Sequence, residues 1–215
     1  MRQATCWQMK NRAGIVGKHG LGLLIGRVHD ALPAVRFQLV GHSFGARLVS
    51  FALAGLPDAQ PSPVASVTLL QGAFSHFAFA KPLPFDASRS GALAGMLSRI
   101  DGPLVVCFSE HDGAVGTFYP LASVAARDDS AAANRALFRR GGMDANGAQG
   151  VKAVVRAIGR AGPGTSYPFV PHGVLNIDAA AVVRRGRPPM GAHSDIVHPE
   201  LTWVVLAASG IVETN

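Results

Sequence analysis

The segment Gly41-His42-Ser43-Phe44-Gly45 has the residue types and the spacing that nucleophilic catalysis by a serine requires. A serine hydroxyl becomes a good nucleophile when a neighbouring base takes its proton, so a reactive serine is presented on a sharp, strained turn. Small residues on both sides let the flanking strand and helix approach each other. The pattern predicts that Ser43 is a nucleophile. The alternative is a strand–turn–helix corner that contains a serine by chance.

The neighbours of Ser43 have expected roles of their own. Phe44 is predicted to begin a helix, where backbone N–H groups have no partner within the helix and lie at the positive end of its dipole. We therefore expect the Phe44 N–H to stabilise the oxyanion that forms when Ser43 attacks a carbonyl group. His42 is expected to pack beneath the turn.

Candidate acids and bases occur further along the chain. Asp112 lies in the loop after a predicted strand, and Glu110 in the same loop is the alternative acid. His193 lies in the loop before the last predicted helix, and His198, which immediately precedes a proline, is the alternative base. In acyl transfer a histidine takes the serine proton and returns it to the leaving group, while a carboxylate fixes the histidine tautomer. We interpret Asp112 and His193 as the partners of Ser43.

A metal site is a less favoured interpretation of the second loop, where His193, Asp195 and His198 are of metal-ligating types. Cys6 and Cys107 show neither a disulfide framework nor zinc-ligand spacing, which favours a reducing compartment. We expect no metal and no cofactor, because acyl transfer by a serine, a histidine and an acid needs neither.

Composition predicts one globular domain. Hydrophobic residues make up 48% of the 215 residues and charged residues 15%, which suits a buried core and excludes a disordered chain. The first residues lack the apolar core of a signal peptide, and no run approaches the roughly 18 apolar residues of a membrane span. We expect a cytoplasmic protein without a membrane span.

A net charge of +7 raises nucleic-acid binding as a separate function class. The only dense basic clusters are Arg139-Arg140 and the arginines of 184–187, and no aromatic interleaving or binding signature accompanies them. No specific nucleic-acid partner is therefore expected.

Apolar spacing predicts alternating strands and helices that would position these residues. Strands are predicted at 36–40, 64–70, 104–108 and 173–177. Helices are predicted at 9–32 with a kink near Gly20, from Phe44 to a stop at Gly55, and at 91–100, 119–138, 151–158 and 199–208. Such alternation favours a parallel sheet covered by helices on both faces, an α/β fold.

Ser43, Asp112 and His193, in this chain order, resemble the Ser…Asp…His triad of the α/β-hydrolase superfamily. The turn at 41–45 and the loop at 193–196 before the last helix are the most specific matches, and the resemblance extends over most of the chain. It implies an α/β-hydrolase-like three-layer fold in one domain over 1–215. It also implies a serine hydrolase that cleaves a small-molecule ester, thioester or amide through an acyl-enzyme, without a cofactor.

The sequence departs from that family before Ser43. The family has further strands there, and a loop among them supplies a second oxyanion N–H, whereas these residues predict one helix and one strand. We therefore expect an N-terminally incomplete sheet with an open edge at the strand 36–40 or 64–70, where another chain could pair. The alternative function is a non-catalytic interaction module or an inactive fragment.

A phenylalanine-rich segment follows the second predicted strand. Residues 73–90 are expected to form a short cap over the site. Phe74, Phe77, Phe79 and Phe85 either line an acyl pocket there or pack as ordinary core side chains.

Overall fold

A computed structural model describes residues 2–58, 61–113, 138–139 and 141–212, with side chains described from Trp7 onward. The helices are α1 (Arg2–Val16), α2 (Gly22–Ala31), α3 (Phe44–Ala52), α4 (Met143–Asn146) and α5 (Pro199–Ala208). The strands are β1 (Phe37–His42), β2 (Val64–Leu70), β3 (Leu104–Phe108), β4 (Ala153–Ala157) and β5 (Val174–Asp178). A π-helical turn spans Gly17–Leu21, and short 3₁₀ helices span Leu53–Gly55 and Met96–Arg99.

The strands form one parallel sheet in the order β1-β2-β3-β5-β4. Because all its strands run in the same direction, the carboxyl ends of β1, β2 and β3 lie at the same end of the sheet, where parallel α/β folds gather functional residues. Within the described residues β1 is an edge strand, whereas β2 pairs with a strand on each side. Of the two strands expected to have an open edge, only the first therefore lies at an edge.

Alternate side chains of the central strands enter two separate cores, one on each face of the sheet. Val67, Leu69 and Val106 face the first core, which α2 and α3 cover. Val105 and Cys107 face the second core, which α5 covers. This arrangement confirms the predicted α/β three-layer fold with helices on both faces of a parallel sheet.

The first helical region is interrupted where a kink was predicted. The π-helical turn Gly17–Leu21 separates α1 from α2, and one such turn inside a helix disturbs its regular hydrogen bonds and bends it. Among the described residues, no helix combines the length and the apolar character that crossing a membrane requires.

Two predicted helices are wrong. Residues 151–158 contain the strand Ala153–Ala157, which pairs with β5 through its backbone while most of its side chains remain exposed. Residues 91–100 form only the 3₁₀ helix Met96–Arg99, because the N–H groups of Gly91 and Leu93 donate to the carbonyl oxygens of Ala80 and Ala78 and not to a helical neighbour. The helix predicted at 119–138 falls almost entirely outside the described residues.

Candidate active site

Ser43 occupies the sharp turn between the end of β1 and the start of α3. Its φ of 57° and ψ of −123° lie in a region that is costly for a side-chain-bearing residue, by about 1–3 kcal/mol. Two backbone hydrogen bonds hold this conformation: the Ser43 N–H donates to the Leu70 oxygen at 3.2 Å, and the Ala73 N–H donates to the Ser43 oxygen at 3.2 Å. The second strand and the residues after it thus keep the strained serine in place.

The two glycines of the pattern do not share one role. A Cβ at Gly41 would lie 2.5 Å from the Gly45 carbonyl oxygen, so only glycine lets β1 approach α3 so closely. A Cβ at Gly45 would meet no described atom within 4 Å. The steric need for glycine that was predicted for both positions holds for Gly41 and is wrong for Gly45.

Ser43, His193 and Asp112 form one continuous hydrogen-bonded chain. The Ser43 Oγ lies 2.8 Å from His193 Nε2, and His193 Nδ1 lies 2.8 Å from Asp112 Oδ2. His193 is 3% exposed and the Asp112 side chain is 0% exposed. With an ionised Asp112 as acceptor, Nδ1–H donates to the carboxylate, and Nε2 accepts the hydrogen bond from the serine hydroxyl.

Backbone contacts between two loops bring Asp112 and His193 together. The Ala192 N–H donates to the His111 oxygen at 2.9 Å, and the Gly113 N–H donates to the Met190 oxygen at 3.0 Å. Gly191, at a φ of 58°, passes so close that a Cβ there would lie 2.3 Å from the His111 oxygen. The acid and the base are therefore fixed relative to each other by main-chain geometry as well as by their own hydrogen bond.

The alternative base and the alternative acid lie in other surroundings. His198 Nε2 is 3.0 Å from Asp195 Oδ1, and the other oxygen of Asp195 accepts hydrogen bonds from the backbone N–H groups of Arg184 and Arg185. The ring of His198 is thus paired with a carboxylate of its own loop. Glu110 is exposed, whereas Asp112 is buried.

His42 does more than pack beneath the turn. Its Nε2–H donates to the His193 carbonyl oxygen at 2.7 Å, and the two imidazole rings lie 5.0 Å apart between centroids. Burial is the main cause of a lowered pKa at His42, which keeps its ring neutral at neutral pH. His42 therefore holds the backbone of the residue that contacts Ser43.

Asp144, on the short helix α4, was missed in the sequence. Asp144 is 0% exposed, and its Oδ2 has no hydrogen-bond partner among the described residues. It forms a group with Asp112 and His193, in which one oxygen or nitrogen atom of each side chain lies within 4.8 Å of those of the other two. Burial, together with the neighbouring charge of Asp112, raises the pKa of Asp144 to about 8. The glycine-rich sequence around it has no periodicity that would have predicted burial.

The same group is the one place, among the described residues, with the donor set of a metal site. Asp112, Asp144 and His193 each offer one ligand atom there. A cation bound by His193 Nδ1 and Asp112 would displace the hydrogen bond between them. The metal and the acid–base interpretations of these side chains therefore exclude each other.

Gln71, the first residue after β2, is a second buried polar side chain that the sequence did not single out. It is 0% exposed, with a positive φ of 43°, and both polar atoms of its amide are without a partner among the described residues. It follows Leu70, the residue that accepts the hydrogen bond from the Ser43 N–H. An amide without a hydrogen-bond partner among the described residues is therefore buried next to the serine turn.

Three of the four phenylalanines line a pocket of about 510 Å³ whose described lining does not include Ser43, Asp112 or His193: Phe74, Phe77 and Phe85. The fourth, Phe79, packs into the core on the α3 side of the sheet. The role of 73–90 as a cap stays a prediction.

Comparisons with protein-family models, with curated proteins and with solved structures gave no match for this chain.

Proposed function

We propose that this protein is a serine hydrolase of the α/β-hydrolase type that cleaves an ester, a thioester or an amide. The single observation that carries the proposal is the hydrogen-bonded chain from Ser43 through His193 to Asp112, with both contacts at 2.8 Å. A histidine between a hydroxyl and a buried carboxylate is the arrangement that general-base activation of a serine requires. The strained backbone of Ser43 supports the same function, since such strain is retained at functional sites.

The chemistry follows from the positions of the three side chains. His193 Nε2 takes the Ser43 proton as Oγ attacks the substrate carbonyl carbon, and the carbonyl oxygen becomes an oxyanion. The backbone N–H of Phe44, at the start of α3, is the proposed donor to that oxyanion. The protonated His193, stabilised by Asp112, then donates its proton to the leaving group, and an acyl-enzyme remains on Ser43.

Water completes the cycle by the reverse sequence of proton transfers. His193 takes a proton from the water that attacks the acyl carbon, and returns it to Ser43 Oγ as the acid product leaves. In every step His193 is the group that accepts or donates the proton, so the proposed reaction involves no cofactor.

The alternative is a non-catalytic module that uses the edge strand β1 to pair with another chain. In a non-catalytic module we would expect the histidine to be displaced from the serine, whereas His193 Nε2 lies 2.8 Å from Ser43 Oγ. The geometry therefore supports the hydrolase over the interaction module.

Labelling with a fluorophosphonate probe tests the proposal, because the probe reacts covalently with an activated serine and needs no knowledge of the substrate. Wild type should be labelled, Ser43→Ala should not be, and His193→Ala should label at least about a hundredfold more slowly. His198→Ala is the matched control, a histidine of the same loop that pairs with Asp195 instead. Absence of labelling in folded wild type, or equal losses in His193→Ala and His198→Ala, would contradict the proposal.

A further inference from the structure

The buried group of Asp112, Asp144 and His193 brings three metal-ligating side chains close together. One oxygen or nitrogen atom of each side chain lies within 4.8 Å of those of the other two. Around a tetrahedral Zn²⁺ ion with bonds of about 2.0–2.1 Å, neighbouring ligand atoms are about 3.3 Å apart. Shifts of about 1 Å would therefore bring these atoms to zinc-binding distances.

Asp144 contributes a buried oxygen atom that makes no hydrogen bond with any described residue. The residue is 0% exposed, and the oxygen without a partner is Oδ2. The other oxygen, Oδ1, accepts a hydrogen bond from the Ala145 N–H at 3.0 Å. Buried polar atoms are normally paired, and Oδ2 can bind a ligand without giving up a hydrogen bond of its own.

The charges of the group favour a divalent cation. Ionised Asp112 and Asp144 together carry two negative charges, and buried carboxylates are stabilised when they pair with a cation or coordinate a metal. The charge of Lys10 also acts on Asp144, but less strongly than that of Asp112. A divalent cation between the two carboxylates would therefore relieve the repulsion between them.

The types of the ligand atoms select among divalent cations. One histidine nitrogen and two carboxylate oxygens form a ligand set that suits Zn²⁺, with a fourth position left for water. Mg²⁺ and Ca²⁺ instead take oxygen ligands, typically about six or more. We therefore expect Zn²⁺ to bind to this group and Mg²⁺ not to.

Zinc bound to this group would change the tautomer of His193. A neutral imidazole carries one proton, and the proton on Nδ1 donates to Asp112 in the metal-free triad. Zinc needs the lone pair of Nδ1, so the proton moves to Nε2, which then donates to Ser43 Oγ. A nitrogen that already carries a proton cannot take one from the serine. The ion would therefore disable the base without contacting Ser43.

We propose that Asp112, Asp144 and His193 form an inhibitory Zn²⁺ site, which switches off Ser43 by holding His193 in the inactive tautomer. The inference rests on the proposed hydrolase function. It gives Asp144 a role that the acyl-transfer steps leave open. Asp144 releases its proton as it coordinates the ion. The ion is a regulator and not a cofactor, because acyl transfer proceeds only after it has left.

Fluorophosphonate labelling in the presence of Zn²⁺ tests the inference, with each variant compared with its own labelling rate without the ion. Zinc should abolish labelling of wild type, and a chelator should restore it. Mg²⁺ at about a hundredfold higher concentration should have no effect. Asp144→Asn should raise the zinc concentration for half inhibition at least about tenfold. Asp144→Ala, which also removes the carboxylate, should give a similar increase.

His198→Ala is the matched control for binding of zinc elsewhere in the same loop. His198 and Asp195 form a second histidine–carboxylate pair, with 3.0 Å between Nε2 and Oδ1, and both side chains are partly exposed. The substitution should leave the zinc concentration for half inhibition unchanged. A large increase in His198→Ala would place the inhibitory ion at that pair and overturn the inference.

A binding measurement separates failure of the inference from failure of the proposed function. Calorimetric titration of Zn²⁺ into the Ser43→Ala chain should show binding that an added Asp144→Asn substitution weakens at least about tenfold. If the probe does not label wild type but this binding is observed, the hydrolase proposal fails and the zinc site stands. Labelling that zinc leaves unchanged, or zinc binding that Asp144→Asn leaves unchanged, overturns the inference.

Discussion

The carboxyl groups of Asp144 and Asp112 lie side by side in the buried end of the sheet, with one oxygen of each within 4.8 Å of the other. Two carboxylates at that separation, both nearly inaccessible to water, repel each other, so one of them holds its proton more tightly. Asp112 accepts the hydrogen bond from His193, whereas Asp144 Oδ2 has no hydrogen-bond partner among the described residues. Burial, together with the charge of Asp112, raises the pKa of Asp144 to about 8, so Asp144 is the one of the two that holds its proton at neutral pH.

Asp144→Asn should make the protein more stable at pH 8 than wild type, with a smaller difference at pH 5. The pKa of Asp144 is raised to about 8, so folded protein holds a proton that unfolded protein releases above pH 4. The free energy of unfolding of wild type should thus fall as the pH rises from about 4 to about 8. The Asp144→Asn variant lacks this loss, which amounts to at least about 1 kcal/mol at pH 7. Urea unfolding at several pH values measures it.

Asp30→Asn is the control for this change, because Asp30 is exposed. The free energy of unfolding of this variant is measured over the same pH range for comparison. A constant difference between wild type and Asp144→Asn over this range would show that Asp144 is ionised in the folded protein.

The two glycines of the serine turn offer a matched pair of substitutions. Gly41→Ala places a methyl group 2.5 Å from a backbone oxygen, so the strand or the helix must move, at a cost of about 1–3 kcal/mol, and the geometry of Ser43 should be lost. Gly45→Ala adds a methyl group in open space within the first turn of α3, where alanine favours a helix by up to about 1 kcal/mol. Thermal unfolding and fluorophosphonate labelling should separate them. Similar losses in both variants would contradict this reading.

His42 should act by holding His193. His42→Phe keeps a ring of similar size but removes the donor to the His193 carbonyl oxygen. A hydrogen bond of about 1 kcal/mol corresponds to a roughly fivefold loss in kcat if it fixes the base. His42→Gln, which retains a side-chain N–H, should recover part of that loss. Equal kcat for wild type and His42→Phe would assign His42 to packing alone.

The sequence predicted best what depends on local pattern. The strands at 64–70 and 104–108 are continuous apolar runs because both faces of the sheet are covered, and the structure has them at those residues. The spacing of Ser43, Asp112 and His193 relative to their strands indicated residues that the structure brings together. These elements depend on the residue types of their own chain segments, so the sequence alone could predict them.

Features that depend on distant partners were missed. The stretch Ala153–Ala157 is a strand because it pairs with β5. Its Val-Val pair favours a strand, but most of its side chains are exposed, so it lacks the buried apolar run that marks the central strands. Asp144 is buried because its backbone N–H donates to the Gly72 oxygen and its oxygen accepts from the Ser109 N–H, which are contacts with two other loops. Such pairing has no signature in the sequence around the residue itself.

A substitution at Gln71 tests whether the buried polar side chains near Ser43 contribute to catalysis. A buried amide without partners costs about 1–3 kcal/mol, so Gln71→Met, which has a similar volume, should raise the free energy of unfolding by about 1 kcal/mol. Polar groups that reduce stability are typically retained where a function uses them, and Gln71 directly follows the residue that anchors Ser43. We therefore expect kcat to fall about tenfold in the more stable variant. A gain in stability with unchanged kcat would show instead that the amide has no part in the reaction.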